Sequence, residues 1–146
     1  MGRAWRGLAG IQAAEAVLLA ESWLRLFWLG LLRLRAPERL SSLVSPRLEG
    51  AGGGPATASR PATDRIAQLV CWSARLQPIP ATCLCRALVL RDALSRRGIP
   101  GLLRIGVRRA ERPLDAHAWV EAGGRTVGEV EPRTQGFQVL GRAAQS

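Results

Sequence analysis

Hydrophobic positions along this chain recur at helical spacing up to Pro100, with one gap, and at a spacing of two beyond it, and the two periods predict its elements. From Gly10 to Arg35 apolar runs dominate, Val17-Leu18-Leu19-Ala20, Trp23-Leu24, Leu26-Phe27-Trp28-Leu29 and Leu31-Leu32, interrupted by Glu15, Glu21, Arg25 and Arg33. Gln12, Glu15, Ser22, Arg25 and Arg33 gather near one helical stripe, so the segment reads as a helix with a narrow polar edge and a broad apolar face. After Pro37 the pattern fades, and Ser41 to Pro61, with Gly50, Gly52, Gly53, Gly54 and Pro55 at its centre, reads as a flexible linker. Ile66, Leu69, Val70 and Ser73 then recur at helical spacing. Thr63 or Asp64 is the candidate cap of that helix, and Gln77-Pro78-Ile79-Pro80 ends it. A further helix opens at Cys83, puts Leu84, Leu88 and Val89 on one face with Ala87 and Leu94, and stops at Gly98-Ile99-Pro100.

Past Pro100 the period falls to two. Leu103, Ile105 and Val107 alternate with Arg104, Gly106 and Arg108, a strand with one core face and one basic face. Ala116, Ala118 and Val120 alternate with His117, Trp119 and Glu121 in a second strand, and Gly123-Gly124 is a hairpin turn into a third, Arg125 to Val130. The architecture predicted is α+β, an N-terminal helical layer packed on a small antiparallel sheet. Three segments follow, an apolar helical region at 1–40, a linker at 41–62 and a catalytic core at 63–146.

Length and composition narrow the function. A chain of 146 residues holds one domain with a modest core. Its 21 basic residues are all Arg and face 11 acidic ones, for a net charge of +10, while Lys, Asn and Tyr are absent. The arginines are scattered, so base composition of the genome explains them better than a nucleic-acid site, although a positive surface attracts acidic partners. Charges interrupt the N-terminal apolar run too often for a membrane span, and acidic residues within it argue against a secretory signal. That helix is expected to cover the core. Trp5, Trp23 and Trp28 with the neighbouring arginines also make it a candidate for contact with a partner or a membrane surface.

Three cysteines cannot all pair, which fits a reduced, cytoplasmic setting. Cys83 and Cys85 are too close for easy bridging, and with Cys71 and His117 they lack the usual zinc spacing, so neither a metal nor another cofactor is expected. A thiol at a helix start is another matter. Unpartnered amides and the positive end of the helix dipole favour the thiolate there, which makes Cys83 the candidate nucleophile. Cys85 lies about 200° around the helix from it, and Cys71 reads as an ordinary core or surface thiol. His117 is the one histidine and hence the candidate base. Glu129 on the following strand is placed to orient its ring, with Glu131 and Glu121 as alternatives. Arg86, one turn beyond Cys83, would steady a thiolate or a substrate carboxylate, or pair with Asp92. Gln68 and Gln77 are candidate oxyanion donors by residue type alone.

Cys-Leu-x-Arg-Ala-Leu opening a helix that ends Arg-Arg-Gly-Ile-Pro, the strand Leu-Arg-Ile-Gly-Val-Arg, and Ala-His-Ala-Trp-Val-Glu resemble together the lasso-peptide leader peptidases, the B2 family. Those proteins are similar to the C-terminal protease domain of the microcin J25 processing enzyme and fall in the transglutaminase-like cysteine protease superfamily. The resemblance spans roughly Arg65 to Glu131. It implies a triad in the order nucleophile, histidine, acid, with Cys83, His117 and, 12 positions on, Glu129 where Asp is usual. Trp119 is a candidate for substrate contact. It further implies cleavage of the leader from a lasso precursor peptide, a separate leader-recognition protein of the B1 type, and a lasso cyclase acting on the freed amine. Transglutaminase-type acyl transfer by the same triad, and a non-enzymatic Arg-rich binding protein, are the rival readings.

Overall fold

The structure is a computed structural model that describes residues 12–39, 42, 59–108, 115–128 and 136–140. Among the described residues three long helices, α1 (Ala13–Arg35), α2 (Arg60–Arg75) and α3 (Cys83–Ser95), precede four strands, β1 (Leu102–Arg108), β2 (Asp115–Ala122), β3 (Arg125–Val127) and β4 (Gln138–Val139). The strands form one antiparallel sheet in the order β3-β2-β1-β4. This is the α+β arrangement expected, and α3 is its centre. Cys85, Ala87, Leu88, Val89, Leu90, Ala93 and Leu94 are all buried, because α1 and α2 cover one side of α3 and the sheet covers the other.

The sheet register follows from the alternation. Leu103 lies opposite Val120 and Ile105 opposite Ala118, and Val120 pairs onward with Val127, so one face is apolar across three strands. That face meets α3, where Gly101 packs between Val120 and Leu94. At Gly123-Gly124 both φ values are positive, as a two-residue hairpin with the sheet's twist demands. β3 is shorter than the run predicted from Arg125 to Val130, since the chain bends at Gly128 and Glu129 onward lies outside the described residues.

Two expectations about the helices change. α2 begins at Arg60 with Ser59 as its cap and Pro61 in its first turn, where a proline loses no hydrogen bond, so neither Thr63 nor Asp64 is the cap. Thr63 instead is buried and its hydroxyl donates back to the Ser59 carbonyl. The 41–62 segment therefore gives way to helix before its predicted end, and most of it lies outside the described residues. In α1, Ser22 does not belong to a polar outer edge. It is 1% exposed on the packed face with Leu18, Leu26 and Gly30. Small residues at that face let α1 approach its neighbours closely, and a Cβ on Gly30 would already stand 3.4 Å from Ile79.

Polar contacts fasten α1 down as well. Ser73 donates to the Leu19 carbonyl at 2.9 Å, the Gln77 amide to the Trp23 carbonyl at 2.7 Å, and the Trp23 indole to the Leu76 carbonyl at 3.1 Å. Arg65 holds Glu15 through two hydrogen bonds of 2.7 and 3.1 Å. The N-terminal helix is thus part of the core packing. No described helix is long and apolar enough to cross a membrane.

Candidate active site

Cys83 is the first residue of α3, as its sequence position predicts. Thr82 caps the helix: its hydroxyl accepts from the Cys85 N–H at 3.3 Å and its carbonyl from the Arg86 N–H at 3.0 Å. Among the described residues nothing accepts from the N–H groups of Cys83 and Leu84. These two amides point outward from the positive end of a helix, beside the thiol.

The thiol is half-buried in a narrow cleft lined also by Cys71, Arg86, Leu90, Ala118 and Gly128. The cleft encloses about 20 Å³, room for little more than one water molecule, so anything larger that reaches the thiol must lie across its mouth. Cys71, an ordinary thiol by its sequence context, comes from α2 to the same cleft, and its Sγ donates to the Gly128 carbonyl at 3.8 Å. Cys85 turns the other way and is 1% exposed within the core. All three cysteines are free thiols.

His117 stands on β2 directly before Ala118, which lines the cleft, but its side chain points to the sheet face away from α3. There it lies opposite Gly106 and between two rings, its centroid 6.2 Å from Trp119 and 5.7 Å from Phe137, with Nε2 buried. Among the described residues no hydrogen bond joins the imidazole to the Cys83 thiol. β3 pairs with β2 only at Val120, Glu121 and Ala122, so no described strand covers the β2 edge at His117.

The outer face is a network of its own. Trp119 is 4% exposed, and its indole N–H donates to Glu121 at 3.2 Å, while Arg104 Nε donates to the same carboxylate at 3.0 Å. Arg108 sits over the Phe137 ring at 4.7 Å and pairs with Asp115 at 2.7 Å. Glu121 is thereby engaged with Trp119 and Arg104. Glu129 and Glu131 lie outside the described residues.

Other candidates take places of their own. Arg86 lines the cleft beside Cys83, and the described ion pair of Asp92 is with Arg25 at 3.5 Å. Gln77 serves the seam between α1 and α2, and Gln68 is exposed and accepts from Arg65 at 2.7 Å. The two amides at the start of α3 are better placed as oxyanion donors than either glutamine. Among the described residues no group of three or more His, Cys, Asp and Glu is arranged to hold a metal ion. Phe137 carried no signal in the sequence, and Gly106 read only as a position on the strand's basic face, although a glycine inside a strand is a signal of close approach. A Cβ on Gly106 would fall 2.8 Å from both Phe137 and Trp119.

A cysteine at the start of a buried central helix, packed on an antiparallel sheet whose second strand carries the histidine, defines a papain-like class of thiol fold. A family model described as the transglutaminase-like superfamily matches residues 26–142, most of the chain, and the protein belongs to that superfamily. The match begins inside α1, in keeping with that helix being packed into the core. Comparison with curated proteins and with solved structures gave no significant match.

Proposed function

We propose that the protein is a cysteine peptidase that removes the leader from a ribosomally made lasso-peptide precursor, with Cys83 as nucleophile, His117 as base and Glu129 as the acid behind the ring. The observation that carries the reading is the setting of Cys83, a half-buried thiol at a capped helix start, in a chain of the transglutaminase-like superfamily. Thiolate sulfur adds to the scissile carbonyl carbon. The amides of Cys83 and Leu84 then donate to the oxyanion. As the C–N bond breaks, the imidazolium gives its proton to the leaving amine, and water, deprotonated by the same ring, releases the acyl group as a carboxylate.

This scheme requires the His117 ring to leave its shelf between Trp119 and Phe137 and reach the thiol around the β2 edge, directly or through one water. Catalytic hydrogen bonds are often long without substrate and tighten when it binds. A leader-recognition protein of the B1 type presents the precursor in this reading, and a lasso cyclase uses the amine that is released.

The test is incubation of the precursor with this protein, with and without the leader-recognition protein, followed by mass spectrometry. A gain of 18 Da across two fragments, on the order of one water per cut bond, marks hydrolysis, whereas loss of ammonia marks acyl transfer. Cys83→Ala and His117→Ala are each expected to lower the rate at least about a thousandfold while the fold is retained. Unchanged cleavage by either variant overturns the assignment.

A further inference from the structure

Phe137 lies outside the apolar core and has no part in the chemistry proposed above, yet it closes one side of the shelf on which His117 rests. The three rings form a triangle, their centroids 5.7 Å apart for His117 and Phe137, 6.2 Å for His117 and Trp119 and 6.4 Å for Trp119 and Phe137. Two sides of the shelf are fixed. Trp119 is 4% exposed with its indole held by Glu121, and Gly106, opposite His117 in the sheet, leaves the space in which Phe137 and Trp119 meet. Phe137 is the side that can move. It is half-buried, follows Gly136 with its φ of +83°, and leads into β4, which pairs with Gly106 and Val107 of β1, whereas β1 and β2 pair over seven positions.

The contact has a sign. On this face the imidazole is turned away from α3 and from the Cys83 thiol, so whatever steadies it there opposes the pairing of base with nucleophile. An aromatic pair at this spacing weights the resting position by a factor of about two to ten. Arg108 reinforces the hold. Its guanidinium lies 4.7 Å from the Phe137 ring centre and pairs with Asp115 at the start of β2, which ties the Phe137 ring to the strand that carries His117. Since only a ring turned toward Cys83 can take its proton, the rate follows the fraction of molecules in which the ring has left the shelf.

We propose that Phe137 is an autoinhibitory latch that holds His117 on the outer face of the sheet until β4 lifts. The latch rests on the assignment of Cys83 and His117 as nucleophile and base, but its test uses no peptide substrate, so it fails separately from the leader-peptidase reading. Alkylation of Cys83 by iodoacetamide in the full chain at about pH 6, where an ordinary thiol is mostly protonated, reports the thiol paired with the imidazole. Peptide mass spectrometry follows it, with Cys71 as the internal reference. Phe137→Ala is expected to raise the Cys83 rate about two- to tenfold, Phe137→Tyr to leave it near the parent value, and His117→Gln added to Phe137→Ala to cancel the gain. Phe137→Leu still covers Gly106 and gives a smaller gain of the same sign, which keeps the test open if the alanine variant loses β4. His117 is the one histidine of the chain, so its ring C–H signals are unambiguous in a nuclear magnetic resonance spectrum, and Phe137→Ala is expected to move them toward those of an exposed imidazole. Unmoved His117 signals, a Cys83 rate that does not rise, or an equal rise in the His117→Gln background would each overturn the latch.

Discussion

The two faces of the sheet are made by the same strands and share almost nothing else. On the α3 face Leu103, Ala118, Val120, Ala122 and Val127 are buried against a helix with which they exchange only apolar contact. On the other face His117, Trp119, Phe137, Arg104, Arg108 and Glu121 meet through ring contacts, ion pairs and hydrogen bonds. The first face specifies volume and tolerates any side chain that fills it. The second specifies direction, because a ring stack or an N–H to carboxylate bond fails with a small rotation. A strand period of two lets one sequence meet both demands without compromise.

Substitutions on the two faces should fail differently, and the largest stability loss is expected on the packed one. Leu103→Ala removes a side chain 1% exposed and should cost about 2–5 kcal/mol in chemical denaturation, leaving the Trp119 environment native in the molecules that remain folded. Gly106→Ala is next. Its added Cβ falls 2.8 Å from Phe137 and Trp119, so about 1–3 kcal/mol is expected together with a changed near-ultraviolet dichroism, since the rings must separate. If that spectrum is unchanged, the aromatic shelf is less closely set than its distances indicate.

Trp119→Phe keeps an aromatic ring but deletes the indole donor to Glu121 and part of the buried ring system, and a cost of at least about 0.5–1.5 kcal/mol should follow. The smallest effect should lie off the sheet. Arg65 hydrogen-bonds to Glu15 and, helped by the Gln12 N–H, holds that carboxyl below its ordinary range against an opposing effect of burial. A folded-state value below the unfolded one stabilises above the unfolded value, and the gain is lost as pH falls through the folded one. Glu15→Gln should therefore lower the melting temperature slightly at neutral pH and converge with the parent in acid or in high salt. An equal difference at all pH values would assign the effect to packing.

The two cysteines of α3 repeat the lesson within a single turn. Cys83, the first residue after the cap, is half-buried at a cleft, and Cys85, two residues on, is sealed in the core. Their separation of about 200° was legible in the sequence, since it depends only on helix geometry. Which of them would face the cleft depended on where α2 and the sheet came to lie.

What the sequence determined by itself is whatever local periodicity encodes. The three helices, the start of α3 at Cys83, the register face shared by Ala118 and Val120, and the hairpin at Gly123-Gly124 all rest on spacings of a few residues. The buried place of Ser22, the arrival of Cys71 beside Cys83, and the setting of His117 between Trp119 and Phe137 were decided only by tertiary packing. The physical reason is that periodicity fixes which residues share a face, while the partner of that face comes from segments 20 to 60 residues away, on the order of a whole supersecondary unit, and is selected by the volume and closeness of the fit.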